Sequence, residues 1–208
     1  MGRKIHKEIK NSADKSIKVN RTSWSRARLV SHSGVFGQSD MTAPGVGLSS
    51  GGRFHHQGQS VLYLAETDEL AMFETLDNPD VPSLVWIQKY TQNSELTGIL
   101  DLRHDWDNFG HDNEVIQALL ASRNIFEKVI DRSNKWRPQY FLTTFIADCA
   151  RQAGFSGIIY SSSRFHGSNL VLFNPNETAI DAFENPKVYI HENKKNSIEN
   201  HDDLTRNF

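Results

Sequence analysis

Cysteine is almost absent from this chain. Cys149 stands alone among 208 residues, so no internal disulfide can form and a reducing compartment is the simplest setting. No apolar run approaches the ~20 residues that span a bilayer. The opening stretch MGRKIHKEIK is basic but lacks the apolar core of a secretory signal, and His6 stands where a myristoylation signal wants Ser or Thr. A cytoplasmic location without a membrane partner is therefore expected. Excess charge of one sign is missing too: 23 Lys and Arg face 25 Asp and Glu, a formal net charge of −2. That excludes the global basic field of a general nucleic-acid binder, and no direct nucleic-acid binding is expected.

What is present is ordinary for a soluble globular protein, with 38% hydrophobic and 23% charged residues. The length allows one substantial domain or two small ones. Residues 1–21 are polar and basic and read as an extension or a loosely docked helix. Residues 192–208 are polar throughout and read as a flexible tail. Between them no long linker and no repeat interrupts the chain, so 22–191 reads as one domain.

Within it, FGQSDMTAPGVGLSSGG must be loop. SVLYLA reads as a buried strand. TDELAMFETL reads as a helix capped by Thr67 or Asp68, with Leu70, Phe73 and Leu76 on one face. SLVWIQKYT and LTGILDL read as strands, and 112–132 has helical periodicity. PQYFLTTFIADCARQAG is the clearest helix, with Pro138 in its first turn, an apolar stripe of Phe141, Leu142, Phe145, Ile146 and Cys149, and Gly154 as its stop. GIIYSS, NLVLF, AIDAF and KVYIH read as short strands. Strands cluster late without regular βαβ alternation, which favours α+β over a doubly wound sheet.

Three residues suggest chemistry. Arg53 follows Gly51 and Gly52, and its planar donor fork suits phosphate. Tyr63 lies inside the apolar strand, as a core tyrosine or as a face for stacking a ring. Glu74 lies near the buried side of a short helix, where a carboxylate needs a partner or a job. Each has a bland alternative: a surface ion pair for Arg53, a satisfied core hydroxyl for Tyr63, an exposed helical carboxylate for Glu74. Later, YSSSRFHG turns between two strands and places Ser161, Ser162, Ser163 and Arg164 at a strand end, where hydroxyls orient a polar ligand or simply build a hairpin loop.

The combination of SRARL, GGRFHHQGQSVLYLAETDELAMFE and RQAGFSGIIYSSSRFHGSNLVLFNP resembles the RES-domain family, over about residues 22–176. The resemblance implies an ADP-ribosyltransferase-like split β-sheet with flanking helices in a single α+β domain. It implies an NAD-consuming enzyme, in many members a toxin restrained by an Xre-like antitoxin. The family arginine falls on Arg53, the tyrosine on Tyr63, the glutamate on Glu74 and the serine on Ser162, with Ser161 or Ser163 the alternatives by a one-place slip. Phe54, Arg28, Ser161, Ser163 and Arg164 are implied as further contacts to NAD. His55 stands where the family often has asparagine.

On this resemblance, Arg53 would clamp the pyrophosphate and Tyr63 would stack on the nicotinamide or fix its ribose. Breaking the nicotinamide–ribose bond builds positive charge on the ribose, which Glu74 would stabilise. Ser162 would hold an amide or a ribose in register. No metal is required.

GVGLSSGG has the wrong glycine spacing for a classical dinucleotide fingerprint. DLRHDWDNFGHDNE gathers His104, Asp105, Asp107, His111, Asp112 and Glu114. A calcium loop starting at Asp105 would put Phe109 and Ile116 where ligands are required, and the spacing is unusual for zinc. A metal-free ribonuclease using His55, His56, Arg53 and Tyr63 is the rival enzyme. A non-catalytic nucleotide-binding module is the third reading.

Overall fold

The structure is a computed structural model that describes residues 1–30, 37–76, 78–103, 138–173, 175 and 180–192. The expected helix over 112–132, the acidic and histidine-containing stretch 104–114 and the tail beyond 192 lie outside the described residues.

The elements are α1 (Gly2–Asn11), β1 (Ile17–Val19), β2 (Ser23–Leu29), β3 (Val61–Ala65), α2 (Asp68–Thr75), β4 (Ser83–Gln92), β5 (Leu96–Leu102), α3 (Phe141–Gln152), β6 (Gly157–Ser161), β7 (Ser168–Phe173) and β8 (Ile180–His191). One eight-stranded sheet runs β1-β5-β6-β7-β3-β2-β4-β8. Every pairing is antiparallel except β5–β6. That pair is parallel because the chain crosses back from one strand to the next through a long connection that includes α3. Strands and helices mixed in one domain give the expected α+β class.

The central strands are apolar almost without interruption because both faces of the sheet are covered. Alternation assigns the sides. Val61, Ile158, Tyr160, Val171 and Phe173 pack with Ile146, Ala147 and Ala150 of α3 and with Ile5 and Ile9 of α1. Leu62, Leu64, Ile159, Leu170 and Leu172 pack on the other side around Trp24 and Tyr90. Tyr63 packs against the α3 side.

The first 21 residues, expected as an extension or a loosely docked helix, contain a helix built firmly into this body. Ile5 and Ile9 are 1% and 0% exposed and dock α1 on α3. Their i, i+4 spacing puts both on one helix face, and each contributes about 2 kcal/mol by burial. β1 then pairs with β5 at the sheet edge.

Two further expectations change. The apolar stripe of α3 excludes Phe141, which is 77% exposed at the first helical position; Leu142, Phe145, Ile146 and Cys149 do pack on the core, joined by Ala147 and Ala150. AIDAF and KVYIH form one strand, β8, and not two. Ile87 pairs with Lys187 and Lys89 with Phe183, so Glu184, Asn185 and Pro186 stand opposite Gln88 alone. Gln88 Nε2 donates to the Phe183 and Glu184 carbonyls across this bulge and holds the strand continuous. Among the described residues no helix is long and apolar enough to cross a membrane.

Candidate active site

The sheet opens between β2 and β3. β2 stays with β4 along its whole length, from Ser23↔Thr91 to Leu29↔Val85. It meets β3 only at Ser25↔Ala65. The two halves diverge from that single pair, and a cleft of about 260 Å³ lies at the opening. Its lining includes Arg53, Tyr63, Glu74, Tyr140, Tyr160 and Asn169. Its volume falls just below the range typical of drug-sized ligand sites, roughly 300–1,000 Å³. Two roomier hollows of about 520 and 530 Å³ lack this gathering of an arginine, a carboxylate and tyrosines.

Glu74 comes from α2. Thr67 caps that helix by accepting from the Leu70 amide at 3.1 Å, and Leu70 and Ala71 bury its inner face. Glu74 Oε1 accepts from Ser162 Oγ at 2.6 Å and from Asn169 Nδ2 at 2.7 Å. Both bonds fall on one oxygen, and Oε2 has no hydrogen-bond partner among the described residues. The carboxylate is thus oriented without being consumed. Ser162 is itself fixed, since its hydroxyl accepts from the Arg164 and Phe165 amides at 3.0 and 3.3 Å.

Arg53 sits at the tip of a tight turn. Gly52 and His55 close the turn with reciprocal backbone bonds of 3.0 and 3.4 Å. Gly51, at φ +82°, supplies the left-handed conformation that leads into it. α3 holds the turn from outside: Arg151 Nη2 donates to the Phe54 carbonyl at 3.0 Å, and Thr144 Oγ1, which donates chiefly to the Tyr140 carbonyl at 2.7 Å, lies 3.3 Å from the Arg53 carbonyl. The Arg53 guanidinium lies 5.9 Å from the ring centre of Tyr140. Tyr63 Oη accepts from the Phe54 amide at 3.0 Å and meets His55 Nδ1 at 2.9 Å. Burial pushes the Tyr63 hydroxyl well above the usual phenol range, so the group is neutral at physiological pH. The same cause, followed by the nearby Glu74 charge, raises Tyr160.

The four residues singled out first are therefore together: Arg53, Tyr63 and Glu74 line the cleft, and Ser162 bonds Glu74. The others sit differently. Phe54 is 0% exposed, packed in the core with its ring centre 4.8 Å from that of Tyr160. Arg28 Nη1 donates to the Asp40 carbonyl, and its neighbour Arg26 lines the cleft instead. Arg164 Nη1 donates to the Phe73 and Leu76 carbonyls, both at 2.6 Å, and so anchors the C-terminal end of α2. Ser161 ends β6 opposite Ser168, and Ser163 is exposed on the turn.

Sequence reasoning did not single out Asn169, Tyr140, Tyr160 or Arg26. Asn169 carried a usable signal: an amide inside the apolar strand NLVLF is a type that strands avoid, and its burial demands partners. The histidines part company. His55 is 7% exposed and bonded inward, whereas His56 Nε2 lies 2.7 Å from Asp148 at the surface. They do not form the acid–base pair that a ribonuclease reading needs. Among the described residues no cluster of three His, Cys, Asp or Glu side chains is placed to hold a metal.

The profile of the RES domain matches residues 25–192. The chain belongs to the RES-domain family. Strands β3 to β8 and all the cleft residues named above fall inside the match, which begins within β2 and leaves out β1. Among solved structures, one that it resembles is the crystal structure of the M. tuberculosis MbcT-MbcA toxin-antitoxin complex, at TM-score 0.53 and 13% identity, covering 93% of this chain and 95% of that one. At that identity the likeness concerns the fold. No curated protein sequence matches the chain.

Proposed function

We propose that this RES-domain protein cleaves NAD at the nicotinamide–ribose bond and acts as a toxin held in check by an antitoxin, of Xre-like type on the family resemblance. One observation carries the reading: a carboxylate held through a single oxygen faces a cleft that also presents an arginine and a neutral tyrosine.

The chemistry asks for little else. The C1′–N bond breaks and its electron pair stays on the nicotinamide nitrogen, which leaves neutral, so no general acid is needed. The ribose is left with oxocarbenium character. Glu74 Oε2 provides a fixed negative charge for that developing positive one, with no reorganisation at the moment of reaction. Arg53 offers a bidentate donor to the pyrophosphate. Tyr63 and Tyr140 supply aromatic walls. An acceptor then bonds to C1′ and releases its proton; water makes the reaction a hydrolysis, phosphate a phosphorolysis, and a protein side chain an ADP-ribosyl transfer.

Nicotinamide release from NAD by the purified chain tests the reaction. Arg53→Ala should raise KM for NAD by about 10- to 100-fold, the range for losing charge-assisted hydrogen bonds. An unchanged KM would remove Arg53 from the pyrophosphate. Expressed without its antitoxin, the chain should stop growth and drain the cellular NAD pool together. Normal growth with an intact pool would refute the toxin assignment.

A further inference from the structure

Behind the cleft lies a buried hydrogen-bond chain that the reaction above does not use. Ser49 Oγ is 2.6 Å from His55 Nε2, and His55 Nδ1 is 2.9 Å from Tyr63 Oη. Ser49 and His55 are 6% and 7% exposed. The imidazole lies close against the turn: a Cβ at Gly52 would come within 2.6 Å of His55 Cε1. Glycine at that position is what lets the ring reach both hydroxyls.

Hydrogen-bond counting fixes the direction of this chain. Ser49 Oγ accepts from the Gly51 amide at 3.2 Å. His55 Nε2 is the one acceptor the described residues offer its hydroxyl proton. If Nε2 carried the ring proton, the buried Ser49 hydroxyl would be left with no acceptor. With Ser49 donating to Nε2, the proton sits on Nδ1 and is donated to Tyr63 Oη. That oxygen then accepts twice, from His55 Nδ1 and from the Phe54 amide. Its own O–H has no acceptor among the described residues, and Tyr63 lines the cleft.

We infer that Ser49 and His55 are positioning residues that make Tyr63 a dedicated hydrogen-bond donor to a ligand oxygen in the cleft. The inference rests on the NAD reading for the ligand, where phosphate, ribose hydroxyl and carboxamide oxygens are the acceptors on offer. The opposite tautomer would turn the Tyr63 proton back into the protein and present the ligand with an oxygen lone pair. The pair therefore selects which ligand atoms Tyr63 tolerates. It also ties the Arg53 turn to β3, so the two cleft residues move as one unit.

Two readouts test this separately from the reaction. Long-range ¹H–¹⁵N NMR of the full chain labelled at histidine nitrogen reads which ring nitrogen is protonated, and His55→Asn assigns the signal among the nine histidines. A proton on Nδ1 and a bare Nε2 are expected. A proton on Nε2, or on both, overturns the inference even if NAD is the substrate. Ser49→Ala removes the donor that pins the proton on Nδ1 and should raise KM for NAD by up to about tenfold, with kcat changed less than about twofold; the loss corresponds to one hydrogen bond to the ligand. Ser49→Thr, which keeps the hydroxyl, should restore both. A folded Ser49→Ala protein with unchanged KM also overturns it. If the wild type releases no nicotinamide, the NAD reading fails while the nitrogen spectrum still decides the tautomer.

Discussion

Glu74→Gln is expected to lower the rate of nicotinamide release by about 10³-fold while leaving the fold intact. A unit charge about 4 Å from a developing unit charge is worth about 4 kcal/mol at an effective dielectric constant of about 20. That corresponds to about three powers of ten in rate. Glutamine keeps an oxygen that can accept from Ser162 and Asn169, the two groups that hold the native carboxylate. The substitution therefore removes charge and little else. Turnover of the purified variant, beside a thermal melt, checks both halves of the claim. A variant within about threefold of wild type would remove Glu74 from the mechanism. A melting point that falls with the rate would show the carboxylate to be structural.

Gly157→Ala carries the largest expected loss of stability, about 3 kcal/mol. Gly157 begins β6, which lies between β5 and β7 and pairs with Ile99 on one side and Leu172 on the other. A Cβ there would sit 2.5 Å from the Val171 carbonyl oxygen and 3.2 Å from both Ile99 Cδ1 and Leu172 Cδ2. The carbonyl belongs to the neighbouring strand and cannot swing aside as a side chain would. Relief requires β6 to move away from β7, and the register Ile158↔Val171 lies one residue on. Urea unfolding should show a lower midpoint, and a fall of about 6–12 °C in Tm is expected for a chain of this size. A change under about 1 kcal/mol would mean that the sheet adapts there at little cost.

Local pattern made much of the fold legible. VLYLA, SLVWIQKYT, LTGILDL, GIIYSS and NLVLF all appear as strands, because runs of β-branched and aromatic residues bounded by turn residues have few other solutions. Helices α2 and α3 followed from caps and periodicity. β1 and β2 were not read as strands. β1 has only three residues, and SWSRARL is too polar for the hydrophobic pattern. The continuity of β8 through Glu184, Asn185 and Pro186 was hidden as well. The stretch looks like a break, and only the Gln88 side chain on the facing strand spans it.

The candidate site divides the same way. Arg53, Tyr63, Glu74 and Ser162 could be named from one chain because the resemblance to the RES-domain family carries them. Phe54 and Arg164 lay in the same motifs, yet one fills the core and the other anchors α2 through carbonyls. Residue type does not distinguish an arginine that binds a ligand from one that binds a helix end, since both present the same donors.

By itself the sequence determined the family, the α+β class, that VLYLA is a buried strand, and that an arginine, a tyrosine and a carboxylate occur in a fixed order. Those are properties of local composition and spacing, and they survive without coordinates. Only the tertiary structure decided that the sheet splits after Ser25↔Ala65, that Asn169 and Ser162 converge on one oxygen of Glu74, and that His55 turns inward while His56 turns out. These are facts of convergence: each depends on where strands far apart in sequence come to lie, and on which hydrogen-bond partners are left once the backbone has used its own.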